Sequence, residues 1–290
     1  MEPPSDNAKP LKQAFADHRR DWRDFSYVYP VISRRSGGLS IGINLNPDGI
    51  CNFDCIYCCV DRSTPLPRQE VELPRLEHEL ARMRDVVSTG ELWQDPRFAD
   101  IPASHRRLND IAFSGNGEPT QARCFEQAVD LVIAQVQDRG LDEIKIVVIT
   151  NASALNEPSV ERVMAKLDQH RGEIWAKLDA GDEQTLRQVN KSSVPFRKLL
   201  DNILACGRRR AIVIQSLWMR IHDQPPTQDQ TDAFAARLYE LTQAGCQIKA
   251  VHLYTVARQT AQPWVTPLTP DELKAISAKI DPAMHVEVFV

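Results

Sequence analysis

The sequence predicts an α/β protein, a parallel sheet with outer helices that closes fully or partly into a barrel. Three observations predict it. Short apolar runs alternate with longer amphipathic stretches six or seven times along the chain, and such alternation builds parallel sheets covered by helices. Glycines at Gly140, Gly207 and Gly245 stand where a helix should stop before the next strand. The chain has 290 residues, and α/β barrels of roughly 200–250 residues commonly form one domain.

The elements follow in order. Residues 1–10 are polar and proline-containing and read as a disordered tail. A short helix is expected through Phe15 to Trp22, then an apolar-aromatic approach from Phe25 to Ile32. The first clear strand is Leu39 to Leu45, where Leu39, Ile41, Ile43 and Leu45 alternate with small or polar residues. Asn46-Pro47-Asp48-Gly49 breaks it. Further strands are predicted at Asp110 to Phe113, Ile144 to Ile149, Ile174 to Leu178, Ala211 to Leu217, Ile248 to Tyr254 and 285–289. Helices are predicted over 73–88, 120–138, 158–169, 182–189, 196–205, 228–244 and 270–279. Phe125, Val129, Val132 and Val136 recur at helical spacing, so one face of that helix is core. Thr269-Pro270-Asp271-Glu272 is a capping box with proline at the first helical position.

Bulk properties narrow the function. No apolar stretch approaches the ~18 residues of a membrane span, and the first residues lack the pattern of a signal peptide. A cytoplasmic location is expected, where clustered thiols bind metal more often than they pair as disulfides. Net charge is −4, so the whole-molecule field repels nucleic acid; an RNA substrate is neither suggested nor excluded. Arg19–Arg20, Arg34–Arg35, Arg106–Arg107 and Arg208–Arg210 are short basic groups and read as solvated surface.

Four of the seven cysteines, Cys51, Cys55, Cys58 and Cys59, fall within nine positions directly after the first clear strand. Packing does not ask for several thiols at one place. Soft thiolates select zinc or an iron–sulfur cluster. The C-x3-C-x2-C spacing of Cys51, Cys55 and Cys58 brings three sulfurs together on one helical face or around a loop. Three sulfurs can hold three irons of a 4Fe–4S cube and leave the fourth open. A zinc site closed by Cys59, Cys124 or a histidine is the alternative. Cys124, Cys206 and Cys246 lie on or beside predicted helices and read as small buried hydrophobes.

In such folds chemistry gathers at the C-terminal ends of strands. Ser114-Gly115-Asn116-Gly117-Glu118-Pro119 follows the second predicted strand. Its glycines allow backbone N–H groups to approach a ligand, and Glu118 can accept from an ammonium group. Asn151, Asp179, Arg220 with His222, and Arg258 follow the next four strands. Arg208 to Arg210 precede their strand and fall at the opposite end. Trp175, Lys177 and Asp179 alternate against apolar residues and are placed on the interior side. A lysine there is either paired with a carboxylate or placed for substrate.

These residues resemble the radical SAM superfamily. Its cluster motif, C-x3-C-x-aromatic-C, is matched by Cys51, Cys55, Tyr57 and Cys58. Its GGEP motif appears as Gly115-Asn116-Gly117-Glu118-Pro119, with Asn116 between the glycines. The likeness covers roughly residues 38–260. It implies a partial (β/α)6 TIM-type barrel, preceded by an N-terminal extension over 1–37 and followed by a helix and strand over 261–290. It implies a 4Fe–4S cluster on Cys51, Cys55 and Cys58, with S-adenosyl-L-methionine (SAM) on the open iron. Reductive cleavage of SAM would yield a 5′-deoxyadenosyl radical that takes hydrogen from a substrate, and a flavodoxin- or ferredoxin-type protein would donate the electron.

Position by position, the resemblance places Tyr57 near the adenine and Gly115, Gly117 and Glu118 around the SAM amino group. Asn151 and Asp179 are placed at its polar groups or ribose, with a turn or cap as the other role for Asn151. Lys177, Arg220, His222 and Arg258 are catalytic candidates, with Gln215 and Tyr254 further substrate-side candidates. Residues Gly42 to Arg62 and Val251 to Trp264 look most like the wyosine-type tRNA-modifying group. That group carries further cysteines before the motif, whereas no cysteine precedes Cys51 here. An electron carrier without SAM chemistry and a zinc-stabilised binding module are the alternatives from other classes. Cys59 is read as a spare thiol, an alternative ligand or a substrate contact.

Overall fold

Leu39, Ile41 and Ile43 are wholly buried on β2 (Gly38–Ile43), the strand that starts the barrel. The computed structural model describes residues 8–290 except 18, 21, 65 and 139–142. After β2 come β3 (Leu108–Phe113), β4 (Lys145–Thr150), β5 (Gly172–Lys177), β6 (Ile212–Ile221) and β7 (Ile248–Thr255). They lie side by side in chain order, every neighbour parallel, and β9 (Val286–Phe289) adds in parallel beyond β7. Parallel neighbours need long crossovers. These contain α2 (Leu73–Ser88), α3 (Phe125–Gln137), α4 (Pro158–Leu167), the pair α5 (Glu183–Asn190) and α6 (Phe196–Arg209), α7 (Gln228–Gln243) and α8 (Pro270–Ser277).

Side chains from β2, β3, β4, β5, β6 and β7 line one cavity. A flat sheet could not bring both of its ends to one space, so the sheet curls into a half-barrel with helices outside. The expected parallel sheet and partial (β/α)6 TIM-type barrel are therefore the architecture found. Phe125, Val129, Val132 and Val136 are buried on α3, and both halves of the Thr269–Glu272 capping box are formed.

Several boundaries differ from the sequence expectation. The first helix, α1, spans Ala8–Ala16, taking in part of the expected tail and ending before Trp22. Asp17 then accepts the backbone N–H of Arg19 at 3.0 Å, a turn that diverts the chain. Trp22 is instead wholly buried beside Phe98. The rest of the expected tail, residues 1–7, lies outside the described residues.

The approach to β2 is itself a strand, β1 (Val28–Ser33), antiparallel to β2. Pro30 cannot donate to a ladder, and an edge strand is where it is tolerated. The short β8 (Val265–Pro267) pairs antiparallel with Met219 to Ile221, extending β6 past its expected end at Leu217. Gly245, at φ +91°, follows α7 as expected. Gly207 is inside α6, where a Cβ would stand 2.1 Å from Cys246 Sγ, so close packing rather than helix termination requires it. Gly140 lies outside the described residues.

Candidate functional site

A cavity of about 300 Å³ opens where β2, β3 and β4 end, with Cys51, Cys55, Cys58 and Cys59 on its wall. All four are half-buried free thiols. They occupy a loop rather than a helix. Backbone bonds from Asp54 and Ile56 to the carbonyls of Asn190 and Val189, at 3.1 and 2.9 Å, fasten that loop to the end of α5.

The four thiols are not equivalent. Cys51 Sγ accepts from the Phe53 N–H at 3.5 Å. Cys55 Sγ accepts from Asn190 Nδ2 at 3.3 Å. Cys58 Sγ accepts from the Val60 N–H at 3.5 Å and from Arg62 Nη1 at 3.2 Å. No hydrogen bond reaches Cys59 Sγ among the described residues. Burial raises the thiol pKa of Cys51, and raises that of Cys55 to about 12 with Asp179 adding to the effect. Such groups become thiolates only when a cation or metal stabilises the charge.

The donor set therefore fits an iron–sulfur cluster, whose cysteine sulfurs commonly accept N–H bonds. Among the described residues no three His, Cys, Asp or Glu side chains are grouped so as to hold a single metal ion. A cube distributes its ligands over separate irons and does not need that grouping.

Arg62 was not singled out by sequence, although it follows Cys58 by one helical turn's count. Its Nε donates to Gly49 O at 2.9 Å and its Nη2 to Asn116 O at 2.6 Å. It thus ties the cysteine loop to the Gly115–Pro119 loop. That second loop seats tightly. A Cβ at Gly115 would lie 2.3 Å from Asn44 Oδ1, and one at Gly117 would lie 2.1 Å from Ile50 O. Both glycines serve this close approach of two loops, and both line the cavity.

Glu118 lines the cavity but is only 3% exposed. Its Oε1 accepts from the Thr120 N–H at 3.2 Å, the Thr120 hydroxyl at 2.6 Å and the Thr150 hydroxyl at 2.6 Å. Its Oε2 accepts from one donor, the Asn151 N–H at 2.6 Å. Burial pushes its carboxyl pKa up, against the pull of those donors. Asn151 also lines the cavity and has the turn role: its Oδ1 accepts from the Ser153 N–H at 3.0 Å and its Nδ2 donates to Asn52 at 2.7 Å.

Tyr57 and Lys177 line the cavity, and Asp179 stands behind them, outside its lining. Tyr57 donates its hydroxyl to Asp179 Oδ2, which also accepts from Asn190 Nδ2 at 3.0 Å. Asp179 Oδ1 accepts from the Leu217 N–H at 2.9 Å and pairs with Lys177 Nζ at 3.2 Å. Lys177 is thus the paired lysine, and it donates as well to the Tyr254 hydroxyl at 2.9 Å. Burial opposes its charge, but Asp179 and Tyr254 outweigh that and hold its pKa above the usual range. Asn190, central to this network, carried no sequence signal because it ends a helix far from the motif.

The remaining candidates divide. Tyr254 and Arg258 line the cavity. Gln215 is wholly buried outside the lining, accepting from Arg35. Arg220 and His222 do not reach the cavity. The extension of β6 carries them past its mouth, where Arg220 pairs with Glu272 at 2.5 Å and exposed His222 stacks on Trp264 at 4.7 Å. Arg20, Arg34 and Arg35, read from sequence as surface, are half-buried and line the cavity. Cys206 and Cys246 are buried as expected, whereas Cys124 is only half-buried.

No family model matches the chain. It is 28% identical over 178 residues to a "UPF0026 protein" of Helicobacter pylori strain J99, an alignment covering 61% of this chain and 50% of that one. The chain thus spans about half the length of the curated relatives it matches. Among solved structures, a radical SAM methyltransferase from Sphaerobacter thermophilus superposes with a TM-score of 0.60 at 14% identity, covering 90% of this chain and 68% of that one. TYW1 with a lysine-pyruvate adduct bound superposes at 0.52 and 14% identity, covering 86% and 74%. The fold is that of radical SAM proteins. The likeness to these structures is one of fold, and the motif at Cys51, Cys55, Tyr57 and Cys58 lies on the cavity wall of that fold. Among the described residues no helix is long and apolar enough to cross a membrane.

Proposed function

We propose that the chain is a radical SAM enzyme in which Cys51, Cys55 and Cys58 hold a 4Fe–4S cluster beside a cavity that takes SAM and a substrate. One observation carries the reading: the three motif sulfurs, each accepting an N–H bond, share a cavity wall with the Gly115–Pro119 loop. When bound, the cluster and SAM would supply one-electron cleavage of a carbon–sulfur bond and a 5′-deoxyadenosyl radical that takes hydrogen from the substrate.

The residues of the chain have separable tasks. Arg62 donates an N–H to Cys58 Sγ and so fixes the position of that sulfur. Thr120, Thr150 and the Asn151 N–H orient the Glu118 carboxylate, and Oε2, with one donor, keeps capacity to accept from an ammonium group. The Tyr57 ring, fixed by Asp179 and Asn190, offers an apolar wall for a base. A low-potential donor of flavodoxin or ferredoxin type would deliver the electron.

The test is to reconstitute the chain with iron and sulfide without oxygen, then add SAM and dithionite. Formation of 5′-deoxyadenosine is expected. A bound cluster that yields none would contradict the enzyme reading in favour of an electron carrier. Stoichiometric zinc without absorbance near 400 nm would favour a zinc-stabilised module.

A further inference from the structure

Beside Arg62, four arginines line the cavity; Arg20 donates to Asn116 of the Gly115–Pro119 loop, and the other three, Arg34, Arg35 and Arg258, have no task in the reading above. Arg34 and Arg35 occupy the turn between β1 and β2, and they reach across the open side of the half-barrel toward the end of β7. Arg34 Nη2 donates to Thr255 O at 3.3 Å, while its Nη1 is buried without any partner. Arg35 donates to Gln215, and its guanidinium lies 4.8 Å from the Tyr254 ring centroid and 5.5 Å from that of Trp175. Arg258, after β7, donates from Nε to Phe15 O at 3.2 Å.

Each guanidinium has five N–H donors, and each of these three spends one on a neutral acceptor. None forms an ion pair among the described residues. The carboxylates lining the cavity are Asp110 and Glu118. Asp110 accepts from Ser40, and Glu118 is held by its own donors. Burial raises the Asp110 pKa, against the pull of Ser36, Ser40 and the nearby Arg35, which does not bond it. Burial lowers the Arg34 pKa to about 10, with Arg35 and Arg258 contributing as neighbouring like charges. Half-buried cations facing one space without a counter-ion are costly, and a chain of net charge −4 did not acquire them through a general excess of basic residues.

We propose that Arg34, Arg35 and Arg258 bind a small organic anion of at least two negative charges, a phosphate ester or a polycarboxylate, and that this anion is the substrate. Its role as substrate rests on the proposed radical SAM function; its binding does not. Arg35 stands inside the barrel against Trp175 and Tyr254, and Arg34 and Arg258 line the same cavity, which suits a small molecule. A nucleic-acid backbone would more naturally follow a surface groove.

Binding is measured by calorimetry on the full chain without cluster or SAM, using inorganic pyrophosphate and citrate as probes and acetate as control at matched ionic strength. Saturable binding of at least one probe is expected, with pyrophosphate against citrate distinguishing phosphate from carboxylate chemistry. Arg34→Gln and Arg258→Gln should each weaken it about tenfold or more, the worth of a charge-assisted hydrogen bond. Arg208→Gln, at the opposite end, should leave it unchanged. Should the cavity variants not fold, phenylglyoxal labelling of the unaltered chain gives the same answer: the probe protects Arg34, Arg35 and Arg258.

Absence of saturable binding, binding indifferent to the substitutions, or tight binding of single-stranded RNA without either probe would overturn the proposal. Anion binding without 5′-deoxyadenosine formation would instead break the enzyme reading and leave the anion site standing. The converse would break the anion site alone.

Discussion

The two walls of the cavity satisfy their polar groups in opposite ways. On the cysteine side, Glu118 and Asn151, and Asp179 in the layer behind the lining, have protein partners for most of their bonding capacity. On the open side, Arg34, Arg35 and Arg258 make single bonds to neutral acceptors. A bonded group holds shape, and breaking its network costs stability. A charged group with donors left over contributes little to the fold and retains capacity for a ligand.

The comparison can be broken first at Asp179. Asp179→Ala would leave Lys177, the Tyr57 hydroxyl and the Leu217 N–H without their buried acceptor. The expected loss is about 3–5 kcal/mol, read from urea unfolding; a loss below about 1 kcal/mol would put Asp179 outside the structural wall. Gly117→Ala comes next. Its new methyl would meet backbone, Ile50 O, so relief requires moving the cysteine loop. About 1–3 kcal/mol is expected, and an unchanged unfolding midpoint would contradict the close seating of the two loops. The smallest stability effect belongs to the other wall. Arg258→Gln should cost no more than about 1 kcal/mol, since it removes one neutral-acceptor bond while relieving like-charge crowding. A larger loss would make Arg258 a structural strut joining α1 to the barrel.

Sequence made the barrel legible because its strands are buried and bounded by clear turns. Leu39, Ile41 and Ile43 show this on β2, and the GNGEP turn shows it after β3. β1 was obscured by Pro30, which argues against a strand unless the strand lies at an edge. Arg220 and His222 were expected at the mouth because the apolar run of β6 weakens after Leu217; pairing with β8 carries the strand on to Ile221. Arg34 and Arg35 were unreadable for a different reason. Two adjacent arginines after an aromatic run look solvated, and only the curl of the sheet turns them inward. The cysteines were the most legible part of the site, although the bonds that distinguish Cys58 from Cys59 come from Arg62 and Val60 in three dimensions.

That distinction is the most direct test of the account. Each of Cys51, Cys55, Cys58 and Cys59 is replaced by alanine in turn, and iron, acid-labile sulfide and absorbance near 400 nm are measured after anaerobic reconstitution. The account predicts that the chain and Cys59→Ala both retain one 4Fe–4S cluster's complement of iron and sulfide, whereas the other three variants lose it. Loss in Cys59→Ala with retention in Cys58→Ala would contradict it.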